Sequence, residues 1–548
     1  MHSPAVVETP DGDTRSYAER FPAETDEILD GIENGVNVGF VGDRAAVRGG
    51  RNRTVDEACA AKVDEVIAAD VAALKKAGPF DRPPLACFVA SPIGAVPKKE
   101  KGKVRVIHNL SAPWRGASVN AGIRERPIKL SSVGIACRLI RAHGPGCWLI
   151  KLDIEAAYKQ IPVRPQDWHL LGFKWRGKYY HERVLPFGLT SACALWELFA
   201  TALHDMLERV AGVPAVVHYV DDFLIVTQSR SDAERALAAA LALCERLGLP
   251  IAPDKTEGPA QCLTFLGVEL DTREMTVLLP TEKLLELREL MVDWAGRTHG
   301  SIRQLQSVRG KLQFAAQVVQ PGKFFLRRIT DLEARLRHIA SSEDSMCALP
   351  KRLLTDFAWW RDNMADWNGV SIMYQREWEE ADKIELFTDA CNTGYGAVWE
   401  GRWFGGRWGP EALAAAQRRQ RLSMPYLEAL ALVASALTWG PHWATRKIVF
   451  RCDAKAVVDA IEKGSSRTPG VMHLMRQLAS AAVRFGFAFR CVHIPGEQNV
   501  IADAFSRGCS VQHVCKVARL HTPLQREATP VAWPTLLDPA DSPPQQRH

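Results

Sequence analysis

The sequence has no apolar run approaching the roughly 20 residues that a helix needs to cross a bilayer, so it offers no membrane span. Met1 to Phe21 is polar and mixed in charge and lacks the apolar centre of a secretory signal. Thirteen cysteines are scattered without one CxxC pair, which argues against a disulfide-framed scaffold and predicts buried thiols in a reducing compartment. No charge of one sign dominates: 69 basic residues against 63 acidic ones leave a formal net charge of +6. A balance that small identifies no polyanionic partner without a local argument. There is no internal repeat. These absences predict an intracellular protein, cytoplasmic or nuclear and not secreted, with no membrane partner.

What is present is an ordinary globular composition, 47% hydrophobic and 24% charged over 548 residues, enough for two to four domains. Residues 1–53 are rich in Asp, Glu, Gly and Arg without period and are expected to form a loose arm. Thr54-Val55-Asp56-Glu57 has the form of a capping box, opening a helix towards Lys76. From there to about Leu270, β-branched and aromatic runs alternate with amphipathic helices such as Ser231 to Leu247, an α/β or α+β pattern. Thr281 to Ala340 predicts two or three helices with a basic series, Arg303, Arg309, Lys311, Lys323, Arg327 and Arg328. Alone, that series is a solvated helix face. A second α/β pattern runs from Lys383 to about Arg507, and residues 509–548 are expected to be a disordered tail.

Two constellations of acids carry chemistry. Trp148-Leu149-Ile150-Lys151-Leu152 predicts a strand that delivers Asp153. Ala215 to Val220 and Phe223 to Val226 are strand-like runs separated only by Asp221-Asp222, which predicts a hairpin with both carboxylates at its tip. Adjacent acids in an apolar β segment cost several kcal/mol each if unpaired, and a divalent cation bound through carboxylates and phosphate oxygens removes that cost. A solvated turn is the plain alternative for the dipeptide by itself. The second constellation is Asp389, Glu428, Asp453 and Asp503, placed at predicted strand ends or in early helical turns, where they can converge on one sheet edge.

The first constellation resembles a reverse transcriptase. Leu152-Asp153-Ile154-Glu155-Ala156-Ala157-Tyr158 looks like the family's first catalytic motif, and Leu185-Pro186-Phe187-Gly188-Leu189-Thr190 like the motif supporting template and nucleotide. Tyr219-Val220-Asp221-Asp222 matches the catalytic hairpin, Lys255 the lysine near the leaving pyrophosphate, and Phe265-Leu266-Gly267 the primer grip. Val96-Pro97-Lys98-Lys99 and Lys103-Val104-Arg105-Val106-Ile107 resemble the fingers strands. The resemblance implies a right-hand polymerase of fingers, palm and thumb. It makes Asp153, Asp221 and Asp222 metal ligands, and Lys98, Arg105, Tyr158, Phe187, Gly188 and Lys255 nucleotide contacts. It departs at Ala156, where many relatives carry a second acid.

The second constellation resembles the ribonuclease H fold, with Val492 to Asp503 as its closing segment in retroelements. Asp389, Glu428, Asp453 and Asp503 would then hold metal. The short Gly496 to Asn499 segment leaves no room for the mobile-histidine loop, so His493 is expected to pack or to sit at the substrate edge. The implied fold is multidomain, α+β and α/β: fingers and palm at 54–275, a helical thumb or connection at 276–382, and a ribonuclease H-like domain at 383–508. The order looks most like DIRS-type retroelements, with gypsy-type next. No Asp-Thr/Ser-Gly protease signature, integrase zinc motif or nucleocapsid knuckle is found, and Cys509, His513, Cys515 and His521 fit no standard zinc spacing. The implied partners are RNA template, DNA primer, RNA–DNA hybrid and dNTPs, with Mg²⁺, or Mn²⁺ in its place, as cofactor. In that context the basic helical series, Arg327 and Arg328 included, is expected to hold duplex through its phosphates. The rival is an inactivated relic that only binds nucleic acid, against which the intact acids of both constellations argue.

Overall fold

The computed structural model describes residues 16–52, 56–97, 104–114, 116–340, 342–372, 385–418, 421–519 and 524–527. The chain divides into two compact units, Met1–Met275 and Thr276–His548. Among the described residues, no helix is long and apolar enough to cross a membrane.

The first unit is built on a four-stranded antiparallel sheet of β1 (Trp148–Asp153), β2 (Val216–Tyr219), β3 (Asp222–Thr227) and β4 (Glu257–Ala260), in the order β2-β3-β1-β4. Leu149, Ile150 and Leu152 of β1 and Phe223, Leu224, Ile225 and Val226 of β3 are fully buried. Helices α1 (Ala192–Arg209) and α2 (Arg230–Arg246) pack against this sheet, and residues of both join its main core. A separate hairpin, Ile93–Pro97 with Val104–His108, carries the fingers-like sequence.

Two expected boundaries are corrected. Residues 16–52 are not a loose arm. Val36, Val38, Phe40 and Val47 are buried in the main core, Val36 bridges Val163, and the Val38 N–H donates to Asp167. These apolar side chains are separated by polar residues in irregular backbone, so no period betrayed them. The helix that follows is Glu57–Ala72, and its cap is Asp56, which accepts from the Cys59 N–H at 2.8 Å.

The second unit contains helices Thr281–Gly296, Ile302–Ala315, Arg327–Ile339 and Lys351–Asn363, followed by a six-stranded sheet. That sheet comprises β5 (Glu385–Ala390), β6 (Gly394–Trp399), β7 (Arg402–Arg407), β8 (Lys447–Cys452), β9 (Ala488–His493) and β10 (Gln525–Arg526), in the order β9-β8-β5-β6-β7-β10. β5, β6 and β7 form an antiparallel meander, while β8 and β9 run parallel to β5 and to each other. Helices α3 (Met424–Trp439) and α4 (Pro469–Phe485) pack together, and α3 lies on β5 and β6. Helix α5 (Val500–Ser506) also lies on β6. Gly394 and Gly396 make that contact possible. A Cβ at Gly396 would stand 2.4 Å from the Ala502 carbonyl oxygen, and one at Gly394 2.4 Å from that of Ser506.

The expected disordered tail is corrected over its described part. Val511–Val517 is a helix with Val514 buried, and β10 adds to the sheet edge beside β7. The helix supplies one apolar anchor and the strand only two residues, too little for a sequence period.

Candidate active sites

In the first unit, strand register brings the acids together. Asp153 ends β1 directly opposite Asp222, the first residue of β3. The hairpin differs from expectation, because Asp222 pairs with Tyr219 and the two-residue turn is Val220-Asp221. Only Asp221 is therefore at the tip. Val220 takes φ +57°, unfavourable for a β-branched residue. The turn is held by the Trp196 indole N–H, which donates to the Val220 carbonyl at 2.8 Å, and by the Ile154 N–H, which donates to the Asp221 carbonyl.

Lys255 donates to Asp153 at 2.9 Å. Burial, with the charge of neighbouring acids added, pushes the Asp222 carboxyl up to about 6 and raises that of Asp221. The charges of Lys151 and Arg105 also act on Asp222 and Asp221, respectively, and the three carboxylates supply the oxygen donors that a hard divalent cation requires.

The expected nucleotide contacts cluster beside them. The Arg105 guanidinium lies 4.8 Å from the Phe187 ring centroid, and the Phe187 and Tyr158 rings are 5.4 Å apart. Gly188 has φ +109°, and a Cβ there would meet the His108 carbonyl oxygen at 2.0 Å, so no other residue fits. Lys159, next to Tyr158, is ion-paired at 2.6 Å with Asp70 of the Glu57–Ala72 helix, which pins this turn. Lys98 lies outside the described residues. Phe265 is fully buried and anchors the Cys262–Phe265/Val268–Asp271 hairpin from within. Leu266 (φ +48°) and Gly267 (φ +81°) form its turn.

Sequence reasoning missed several supports. Asn120 donates to the Gly188 carbonyl and accepts from the Thr190 N–H, fastening the Phe187–Thr190 loop. Behind the catalytic hairpin, His218 shares a 2.8 Å hydrogen bond with His204 and a 3.1 Å one with Glu197. Burial holds the His218 imidazole below its usual range. Nothing in the spacing of these residues advertises a contact.

In the second unit, Asp389 lies in β5, Glu428 in the first turns of α3, Asp453 just after β8 and Asp503 in α5. Burial first, then the charges of Asp389 and Asp453, pushes the Glu428 carboxyl up to about 9. Burial raises Asp389 to about 6, with Asp453 and Asp503 contributing. Asp389 and Asp453 thus link all four acids electrostatically, one side reaching Glu428 and the other Asp503. Glu428 Oε2 is buried and has no hydrogen-bond partner, the condition a bound cation relieves. Asn499, itself buried, donates to the Thr388 carbonyl at 2.9 Å and to Asp389 at 3.3 Å. Arg507 clamps both oxygens of Asp503 at 2.8 and 2.9 Å. His493 is exposed and its charge acts on Asp453, which places it at the edge and not in the packing. Cys452 joins this cluster, although the sequence marked it only as the last residue of a strand.

The basic helical series is largely consumed internally. Arg309 pairs with Glu333, Arg327 with Asp331, Arg328 with buried Asp356, and Arg303 with Asp344. Lys323 donates to the Glu462 carbonyl. The expectation that Arg327 and Arg328 face phosphates is withdrawn, because their guanidinium groups already satisfy acids of their own unit.

Residues 96–270 match the family described as reverse transcriptase (RNA-dependent DNA polymerase), and residues 412–509 the family described as reverse transcriptase-like. Over 184 residues, 33% of this chain and 26% of the relative, the chain is 30% identical to the enzymatic polyprotein of Cestrum yellow leaf curling virus. Over 426 residues, 75% of this chain and 20% of the relative, it is 22% identical to polyprotein P3 of Commelina yellow mottle virus. The transposon Tf2-3 polyprotein of Schizosaccharomyces pombe is 24% identical over 65% of this chain and 25% of that protein. The chain thus spans about a quarter or less of the length of these curated relatives. The foamy viral protease-reverse transcriptase, solved in complex with double-stranded DNA, aligns with a TM-score of 0.48 at 14% identity, covering 82% of this chain and 72% of that one. The chain thus carries a reverse-transcriptase domain over residues 96–270 and a reverse transcriptase-like, ribonuclease H-like domain over residues 412–509, and is similar to retroelement polyproteins.

Proposed function

We propose that the chain synthesises DNA on RNA and DNA templates and cleaves the RNA strand of the resulting hybrid. Its partners would be an RNA template, a DNA primer, the RNA–DNA hybrid and dNTPs. The observation that carries this reading is the facing of Asp153 and Asp222 across one strand pair, with Asp221 at the turn and Lys255 on Asp153.

Asp153, Asp221 and Asp222 would hold divalent metal in the first unit, and Asp389, Glu428, Asp453 and Asp503 in the second. Bound there, Mg²⁺, or Mn²⁺ in its place, supplies charge stabilisation to the attacking and leaving oxygens of an in-line displacement. Lys255 is half exposed and can exchange Asp153 for a triphosphate oxygen. Arg105, above Phe187, presents its exposed guanidinium to the same anion. The Tyr158 ring, braced by Phe187, would lie against the sugar and exclude a 2′-hydroxyl. In the second unit, Asn499 orients Asp389 and Arg507 orients Asp503 towards a scissile phosphate. Within the retroelements we favour the DIRS type, on the order of palm, helical segment and ribonuclease H-like domain.

The test is primer extension on poly(rA)·oligo(dT) with Mg²⁺ or Mn²⁺, run beside cleavage of a labelled RNA–DNA hybrid. Both activities are expected from the purified chain. Duplex binding with neither activity would leave the relic reading.

A further inference from the structure

Cys452 closes β8 beside Glu428 and Asp453 of the second carboxylate cluster, yet neither proposed reaction uses its thiol. Its Sγ, one oxygen of Glu428 and one of Asp453 all lie within 4.8 Å of one another, and among the described residues no other trio of potential ligands is this close. Cys452 is fully buried and Glu428 is only 5% exposed, so the thiol is the innermost of the three. Glu428 Oε2 has no partner, an acceptor already stripped of water. The thiol has little competing for it, since Sγ accepts only a long contact, 3.4 Å, from the Ala454 N–H.

Ligand chemistry separates this trio from the palm. Mg²⁺ and Mn²⁺ favour oxygen donors, whereas sulfur shifts preference towards Zn²⁺ and Cd²⁺. One thiol with two carboxylates is a donor set that a four-coordinate soft or borderline cation completes with water or substrate. Asp153, Asp221 and Asp222 form no such trio with a cysteine among the described residues.

We propose that Cys452, Glu428 and Asp453 form a binding site for a thiophilic divalent cation of the Zn²⁺ or Cd²⁺ class, which competes with the hard cation of the ribonuclease-like site. Binding forms one metal–sulfur bond and releases the thiol proton to solvent. The proposal rests on the reading of Glu428 and Asp453 as metal-binding. Its consequence is selective: zinc silences the second site at concentrations that leave the palm working.

The test uses the full metal-free chain with one equivalent of Zn²⁺ alone, measured by X-ray absorption. One sulfur at about 2.3 Å with oxygens at about 2.0–2.2 Å is expected. Cys452→Ser should remove the sulfur and weaken Zn²⁺ binding at least tenfold. The same variant should leave Mn²⁺ binding, followed by the electron spin resonance of free Mn²⁺, within twofold of wild type. Sulfur that persists in Cys452→Ser, or an oxygen-only shell in wild type, would overturn the proposal. Cys452→Ala provides the same readout if circular dichroism shows that the serine variant folds poorly. If Asp453→Asn removes no bound Mn²⁺, the metal reading of the cluster itself fails. If it does remove Mn²⁺ while zinc finds no sulfur, only the thiophilic site fails.

Discussion

The two carboxylate clusters solve the same electrostatic problem differently. In the palm, Lys255 bonds to Asp153, the charges of Lys151 and Arg105 act on Asp222 and Asp221, strand pairing sets Asp153 opposite Asp222, and Asp221 sits at the turn. In the second unit, the acids arrive from two strands and two helices, Arg507 is ion-paired to Asp503, and the charge of His493 acts on Asp453. Burial first, then the charges of Asp389 and Asp453, pushes Glu428 up to about 9, against about 6 for the less buried Asp222. Nearby cations hold a carboxyl down, while deeper burial raises the cost of its charge, a cost that an entering cation relieves.

The sharpest break of this comparison is a pair of substitutions that share no ligand. Asp221→Asn keeps shape but loses charge, and should reduce primer extension by about a hundredfold or more, since several kcal/mol of stabilisation are at stake. Hybrid cleavage should survive. Glu428→Gln should do the reverse. Retention by Asp221→Asn of more than about a tenth of wild-type extension would sink the palm assignment, on the same scale of tenfold per 1.4 kcal/mol.

Tyr158→Ala comes next. An apolar pocket rejects an added hydroxyl by only about a hundredfold, so a rigid ring braced at 5.4 Å by Phe187 should carry the rest. Single-nucleotide kinetics should show ribonucleotide discrimination falling by roughly tenfold or more with dNTP extension preserved. Equal discrimination in mutant and wild type would make Tyr158 core packing.

A smaller effect separates structure from binding. Arg328→Ala leaves buried Asp356 with Arg476, at 3.6 Å, in place of a 2.7 Å partner. It should cost on the order of 1–3 kcal/mol, read as a lower denaturation midpoint of the second unit. The slope of log affinity for duplex against log salt should stay unchanged. A slope flattened by about one would restore the phosphate contact.

The effect confined to the narrowest conditions is an acid pH slope of the first unit. Burial, followed by the charge of Lys76, holds the His108 imidazole down at about 3, against 6.5 when free. Its folded value is depressed, so the unfolded chain binds the extra proton. Its stabilisation is complete above about 6.5 and is lost as pH falls towards 3, at up to about 1.4 kcal/mol per pH unit. His108→Gln, whose amide can still donate to the Gly172 carbonyl, should flatten the acid limb of first-unit stability in chemical denaturation. An identical acid limb in both proteins would show that His108 titrates in the fold as it does in the unfolded chain.

Strand-forming runs ending in Asp153, the Asp221-Asp222 pair and the acids from Asp389 to Asp503 were legible because each is local. A β run of period two, a two-residue turn and a glycine that tolerates φ +109° at Gly188 are properties of a few consecutive residues. The sequence by itself therefore determined the order of the two domains and every acid of both clusters. Tertiary structure alone decided which polar groups meet across long separations. It put Asn120 on Gly188, His204 on His218, Asn499 on Asp389 and the Cys452 thiol beside Glu428. It also drew Val36 and Val38 into the core and turned Arg327 and Arg328 inwards. The physical reason is that burial and ion pairing are settled by whatever a side chain finds opposite it when the chain closes, and no spacing along the sequence encodes that partner.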